Sequence, residues 1–450
     1  MTPSRLLPVA AALAAVLGAA PVRAQSLLAL YEAARAQDAA WQSARAQYEA
    51  NLARADQALA GVLPTAALSS TVSRTRIDVG GVTTAPGQLN PNYYGTQNAT
   101  LSASQPIYRP ANWATYEQAR RQAELASAQL ATAAQDLIIR VSQAYFDVLA
   151  AGDTLAFVRA QKTAVAEQLA SAKRNFEVGT STITDTREAQ ARYDLVLAQE
   201  IAAENDLRVK KLALDTLVGR RDAEPVPVAA PVVLGAIEPP DVEQWVSQAD
   251  AASPSIQQAR LNVDVARLET EKAKAGHKPT LDFTTSFSYT RNNGGTSTSP
   301  LTPTTSRPEV VQGAFVLNLP LFSGFAVQNR IRETLSLEEK ARADLENARR
   351  TVAQATRTAY FGLVSGQGQV RALEAAEASS QSALDANRLG YQVGVRINID
   401  VLNSQSQLFQ TKRDLAQARY NVLLGQLRLR QANGTLTAED LAKLNALIAK

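Results

Sequence analysis

Aligned on itself at an offset of 215 positions, the chain repeats most of its length, and this duplication limits the folds open to it more than any other feature. Ala44-Arg45 matches Ala259-Arg260, Ala60-Gly61 matches Ala275-Gly276, Pro64-Thr65 matches Pro279-Thr280, and Tyr145-Phe146 matches Tyr360-Phe361. Gly219 matches Gly434, and the offset slips by one where Pro106 meets Pro320. The expected organisation is a first repeat over 25–219, a Pro-rich linker over 220–240, a second repeat over 241–434 and a C-terminal short helix over 435–450.

Each copy opens on an Ala-, Gln- and Arg-rich helical pattern, about 26–61 and 241–276. The hydrophobic period then changes from that of a helix to that of a strand. In PTLDFTTSFSYT, Leu281, Phe283, Phe287 and Tyr289 alternate with Asp282, Thr284, Ser286 and Ser288, and Phe315, Leu317, Leu319 and Leu321 continue the pattern in a second segment. Strands are expected at about 279–290 and 311–322. In the first copy they fall at about 64–75 and 97–108, with Ala66, Leu68, Val72, Leu101, Ala103 and Ile107 on the apolar face. A long polar loop joins each pair. Such hairpins match a membrane β-barrel, and the alternative is a half-buried hairpin of a soluble protein.

Long helical patterns follow, about 112–177 and 326–391, without proline in either copy. At about 1.5 Å per residue such a stretch is roughly 100 Å long, too long for a compact core. Leu130, Ala134, Leu137, Val141, Ala144, Val148 and Ala151 recur at alternating spacings of four and three, the seam of a coiled coil. Val401, Leu408, Leu415, Val422 and Leu429 recur every seven residues, beside a small-residue row of Ser404, Thr411, Ala418 and Gly425. Both stripes are helix-packing surfaces.

Several function classes lack their residues. The chain has no cysteine and one histidine, His277, whose counterpart in the first copy is Val62, so a structural role is expected for it. There is no G-x-x-x-x-G-K-S/T loop and no G-x-S-x-G elbow, so neither an enzyme nor a cofactor is expected. Acidic and basic residues are interspersed, which argues against nucleic acid as a partner. Residues 1–24 read as a signal peptide, whose removal takes Arg5 and Arg23 and lowers the formal charge from +4 to +2. No later segment has the roughly 20 apolar residues of a spanning helix, so entry into a membrane must be by strands. Four strands leave open edges in lipid, and three chains are the smallest number that would make a bored barrel.

LPTAALSSTVS and KPTLDFTTSFS at the first strands, SQPIYRP and NLPLFSGFAVQNR at the strand-to-helix joints, and VGTSTITDTREAQARYD and VGVRINIDVLNSQSQLF at the turns resemble the TolC family of outer-membrane channel-tunnel proteins. The resemblance covers nearly the whole chain after residue 24. It implies a mixed α and β membrane protein: a homotrimer whose 12-stranded β-barrel, four strands per chain, is continuous with a long α-helical coiled-coil barrel. The terminal segment 435–450 would belong to an equatorial belt. It further implies a passive exit duct in the cell outer membrane, extending into the periplasm, for type I protein secretion, efflux or both. The implied partners are outer-membrane lipid, a periplasmic adaptor and an inner-membrane ABC or proton-driven transporter. A duct dedicated to multidrug efflux is the alternative, although the chain has no cysteine for the lipid anchor many such ducts carry. A periplasmic coiled-coil adaptor is the remaining one.

The same resemblance gives the turns a role. Asp400 matches the first of two acids that narrow the family's periplasmic entrance, and Asn403 stands at the second, leaving one charged ring with a modest cation preference. Tyr391 and Arg396 would face Asp185 and Thr184 as an entrance latch. A local reading stands beside it: Gly179 and Gly394 suit helix C-termini, Asp185 to Glu188 has capping-box spacing, and Asp400 suits an N-cap.

Overall fold

The computed structural model describes residues 25–228 and 235–448. The signal segment expected at 1–24 and linker residues 229–234 lie outside them. The chain divides into two compact units, one of Met1–Ser43, Ala131–Ser253 and Thr351–Lys450, the other of Ala44–Leu130 and Pro254–Arg350.

The second unit is built around an antiparallel sheet of β1 (Thr65–Ile77), β2 (Asn92–Tyr108), β3 (Thr280–Asn293) and β4 (Glu309–Asn318), in that spatial order. The pairing of β2 with β3 joins a strand of each copy. Register sorts the side chains by chemistry. Leu68, Leu101, Phe287 and Val311 lie in one row across the sheet, with Ala66, Ala103, Phe283 and Phe315 on the same face. The Phe283 and Phe315 rings pack 5.1 Å apart. The opposite face carries Thr65, Ser69, Ser102, Thr100, Thr284, Ser286, Ser288 and Gln312. Among the described residues the outer edges of β1 and β4 pair with nothing.

Three features of the strands differ from the sequence expectation. β4 stops at Asn318 because Pro320 has no N–H to continue the ladder. β2 begins five residues early, since Tyr93 and Tyr94 pair with Arg76 and Thr75 although their neighbourhood does not alternate. Ile107 falls in a bulge between Pro106 and Tyr108, so it is not a regular member of the apolar face. Beside the bulge, Arg109 Nε and Nη2 donate to the two carboxylate oxygens of Asp282 at 2.7 and 2.6 Å. This unit also contains most of α2 (Ala39–Leu59), α6 (Pro254–Ala275), and the first parts of α3 (Pro110–Glu177) and α7 (Ala326–Gln392). His277 is exposed in the turn between α6 and β3.

The first unit is helical: α1 (Leu27–Gln37), the rest of α3 and α7, α4 (Ile183–Val218), α5 (Val242–Ala252), α8 (Asn398–Ala432) and α9 (Ala438–Ile448). Leu27, Leu30, Leu137, Val141, Tyr145, Leu214, Leu423 and Leu441 form its main core. Within it Tyr420 Oη donates to Asp153 at 2.6 Å, and burial holds the Asp153 carboxyl above its ordinary range. The every-seventh stripe of α8 is buried throughout, from Val401 to Leu429.

Each expected opening helix is broken once, at equivalent positions. In the first copy Asp38 ends α1, and its Oδ1 accepts from the Trp41 N–H at 2.7 Å to start α2. In the second, Ser253 ends α5 and Pro254 opens α6, where a missing N–H costs nothing. Asp38 is also gripped by Arg140, whose Nη1 and Nη2 donate at 2.8 and 2.9 Å, and these bonds hold its carboxyl below the usual range.

A group with a depressed folded pKa contributes stability above its unfolded pKa and loses it as pH falls through the folded value. Asn caps a helix as well as Asp, so Asp38→Asn isolates the ion pair. With Arg140 half-exposed, the variant should be less stable than wild type at neutral pH by about 1–2 kcal/mol. The gap should close below about pH 4. Thermal unfolding across pH measures both.

Candidate functional site at the two helical turns

The turns that follow α3 and α7 are built alike. The Gly179 N–H donates to Phe176 O at 3.0 Å and the Thr180 N–H to Asn175 O at 2.8 Å; the Gly394 N–H donates to Tyr391 O at 3.2 Å and the Val395 N–H to Gly390 O at 2.9 Å. Both are Schellman motifs, closed by glycines at φ 80° and 81°.

The starts of the next helices differ, and one residue makes the difference. Thr182 caps α4 with a complete capping box: its Oγ1 accepts from the Asp185 N–H at 3.2 Å, and Asp185 Oδ2 accepts from the Thr182 N–H at 2.9 Å and from its hydroxyl at 2.8 Å. The box therefore runs from Thr182 to Asp185, three residues before the expected Asp185 to Glu188 spacing. Its counterpart at the start of α8 is Ile397, which has no hydroxyl and makes no side-chain cap. Asp400 is thus not an N-cap but a first-turn residue, its carboxylate free of capping. It lies 3.7 Å from Arg396 Nη1.

Asn398 joins the two turns. Its side chain is buried, with Oδ1 accepting from Gln168 Nε2 on α3 and Nδ2 donating to Asp185 O at 3.4 Å. Asn175 Nδ2 donates to Tyr391 Oη at 3.2 Å. Gly390 lets Arg396 lie against the end of α7, since a Cβ there would stand 2.7 Å from Arg396 Cγ. One turn into α8, Asn403 Oδ1 accepts from Arg192 Nη2 of α4 at 2.8 Å, and Asn387 Nδ2 donates to Ser404 Oγ at 2.5 Å.

Within one chain, then, Tyr391 and Arg396 do not meet Asp185 and Thr184. Tyr391 is held by Asn175, Arg396 is drawn to Asp400, the carboxylate of Asp185 is occupied by its cap, and Thr184 is exposed. Asn398, Asn175, Gln168 and Arg192 escaped sequence reasoning because each acts across helices. The one available signal was that Asn398 and Arg192 lie within the two turn motifs.

The family model for outer membrane efflux proteins matches the chain twice, over residues 30–220 and 245–435. The chain belongs to this family. The outer membrane protein TolC of Vibrio cholerae is 33% identical over 427 residues, 94% of either chain. The alkaline protease secretion protein AprF of Pseudomonas aeruginosa is 30% identical over 93% of this chain and 86% of its own. Among solved structures, the Campylobacter jejuni CmeC outer membrane channel shares the fold with a TM-score of 0.78 at 16% identity, over 94% of this chain and 89% of that one. As an outer membrane efflux protein of the TolC kind, the chain is an outer-membrane exit duct for secretion or efflux, a channel and not an enzyme.

Proposed function

We propose that the chain acts as a homotrimer in which three four-stranded sheets close into a twelve-stranded barrel in outer-membrane lipid. The observation that carries this is the sheet itself: two unpaired edges and an exposed apolar face, with Leu68, Val311, Phe315 and Leu317 each more than half exposed. In hydrocarbon every open backbone group costs several kcal/mol, so the edges need partners, and identical sheets supply them without a new surface. An apolar face toward lipid and a Ser/Thr face toward a bore is the pattern of a transmembrane barrel.

The helical part of each chain adds the periplasmic tunnel, and the two turns gather at its entrance. Asp400 forms the narrow ring there with Asn403 one turn further in, and a latch of Tyr391 and Arg396 with Asp185 and Thr184 operates between neighbouring chains. A periplasmic adaptor and an inner-membrane transporter engage this end. The cargo is polypeptide exported by a type I route, a reading supported by the similarity to a protease secretion protein.

Detergent-extracted protein should have the mass of three chains and insert into planar bilayers as discrete conductance steps. Release from membranes by salt alone, as a monomer without conductance, would instead identify a peripheral adaptor.

A further inference from the structure

At the start of α8 two guanidiniums stand beside one uncapped carboxylate, while the Asp185 carboxylate nearby is taken up by the α4 cap. Asp400 and Asn403 stand three residues apart, on one face of the helix. Before them, Arg396 approaches the Asp400 carboxylate to 3.7 Å. After them, Arg192 reaches over from α4 and its Nη2 is fixed on Asn403 Oδ1 at 2.8 Å. The helix N-terminus adds partial positive charge of its own, with no side chain capping it. The Asp400 carboxylate is thus flanked by two guanidiniums, Arg396 from the turn and Arg192 from α4, and three chains would bring three Asp400 carboxylates and six such arginines to the same ring.

We infer that Arg192, anchored on Asn403, is the selectivity-determining charge of the entrance and makes it admit anions, small ones and acidic polypeptide segments alike. This rests on the reading of Asp400 and Asn403 as the constriction, and it reverses the cation preference that an unopposed ring of Asp400 gives. Asparagine at 403 matters because it is neutral and can accept: it holds the guanidinium in place without cancelling its charge. Arg396 is partly neutralised by Asp400, whereas among the described residues the Arg192 guanidinium is held by the neutral Asn403 and forms no ion pair. At a constriction narrower than the screening length, fixed charge of one sign raises the local concentration of the other.

The test is the reversal potential of the full-length channel in planar bilayers under a potassium chloride gradient. Wild type should favour chloride or discriminate little. Arg192→Gln should move the permeability ratio toward potassium by about tenfold or more, because the variant removes three unit charges from the ring, one per chain, each acting on both ions in a water-like, salt-screened dielectric. Asp400→Asn should move it the opposite way, and Arg192→Lys, which keeps the charge, should restore the wild-type sense. If Asp400→Asn moves the ratio and Arg192→Gln leaves it at the wild-type value, the inference is overturned while the entrance assignment stands. If neither variant moves it, the constriction lies elsewhere and both are lost.

Discussion

Gly434→Ala should lower the stability of the detergent-extracted protein by roughly 2–5 kcal/mol per chain, the sum of left-handed backbone strain and overpacking against a rigid neighbour. Gly434 ends α8 at φ 81°, with its N–H donating to Gln431 O at 3.0 Å and the next N–H to Arg430 O at 2.9 Å. An added Cβ would stand 2.5 Å from the Ser253 Cα and 2.7 Å from the Ala252 carbonyl oxygen. Those atoms are backbone at the joint between α5 and α6, and Gln135 already donates to the Gly434 carbonyl at 3.0 Å, so no side chain can swing aside to relieve the clash. The equivalent Gly219 has φ 66°, but its Cβ would meet the Gln37 side chain at 2.9 Å, which has some freedom to yield. Gly179 and Gly394 have open space around them. Their alanine variants should cost only the backbone strain, about 1–2 kcal/mol. Thermal unfolding followed by far-ultraviolet circular dichroism should therefore rank Gly434→Ala below Gly219→Ala, and that below the two turn variants. Equal midpoints for Gly434→Ala and Gly394→Ala would refute the packing argument.

That ranking also shows what could be read from the sequence and what could not. A glycine closing a helical pattern was legible at Gly179 and Gly394, because a left-handed C-cap is a local requirement, while Gly219 and Gly434 were legible only as matching positions of the repeat. What each glycine touches was not, since Gly434 meets Ser253 from a segment 181 positions away in sequence. The alternation of Leu281, Phe283, Phe287 and Tyr289 marked β3 because register alone sorts side chains to two faces. The start of β2 at Asn92 escaped because its tyrosines are adjacent and not alternate, so only the β1 ladder decides it. The break at Asp38 was hidden by good helix formers on both sides, whereas Pro254 was a visible signal for the matching break. At the turns, Thr182 against Ile397 was readable as a difference between copies and explains why Asp185 is tied into a cap while Asp400 is not. The placing of Arg192 on Asn403 depends on how α4 packs beside α8, which no local pattern encodes.

The sharpest contrast is expected between two adjacent residues of β3. Phe287→Arg should abolish recovery of the protein from the outer membrane, and Ser286→Arg should leave it largely intact. Phe287 lies midway along the strand, in a row with Leu101 and Val311 on the apolar face. Arginine on the lipid face near the bilayer midplane costs about 2–4 kcal/mol. The proposed three-chain barrel would repeat it, giving roughly 6–12 kcal/mol against assembly, comparable with the whole stability of a folded domain. Ser286 sits in the next row, beside Ser102 and Gln312, on the face that would line the bore, where water or a long polar neighbour can solvate a guanidinium. Both substitutions add the same side chain to the same strand, so helix packing, export and the intrinsic strand preference of arginine are nearly constant between them. Immunodetection in outer-membrane fractions, followed by unheated electrophoresis to detect the proposed trimer, reads the difference. Equal recovery of the two variants would mean that the apolar row does not face lipid. A reversed order, with Ser286→Arg lost and Phe287→Arg recovered, would place Leu101, Phe287 and Val311 in an aqueous interior and turn the barrel inside out.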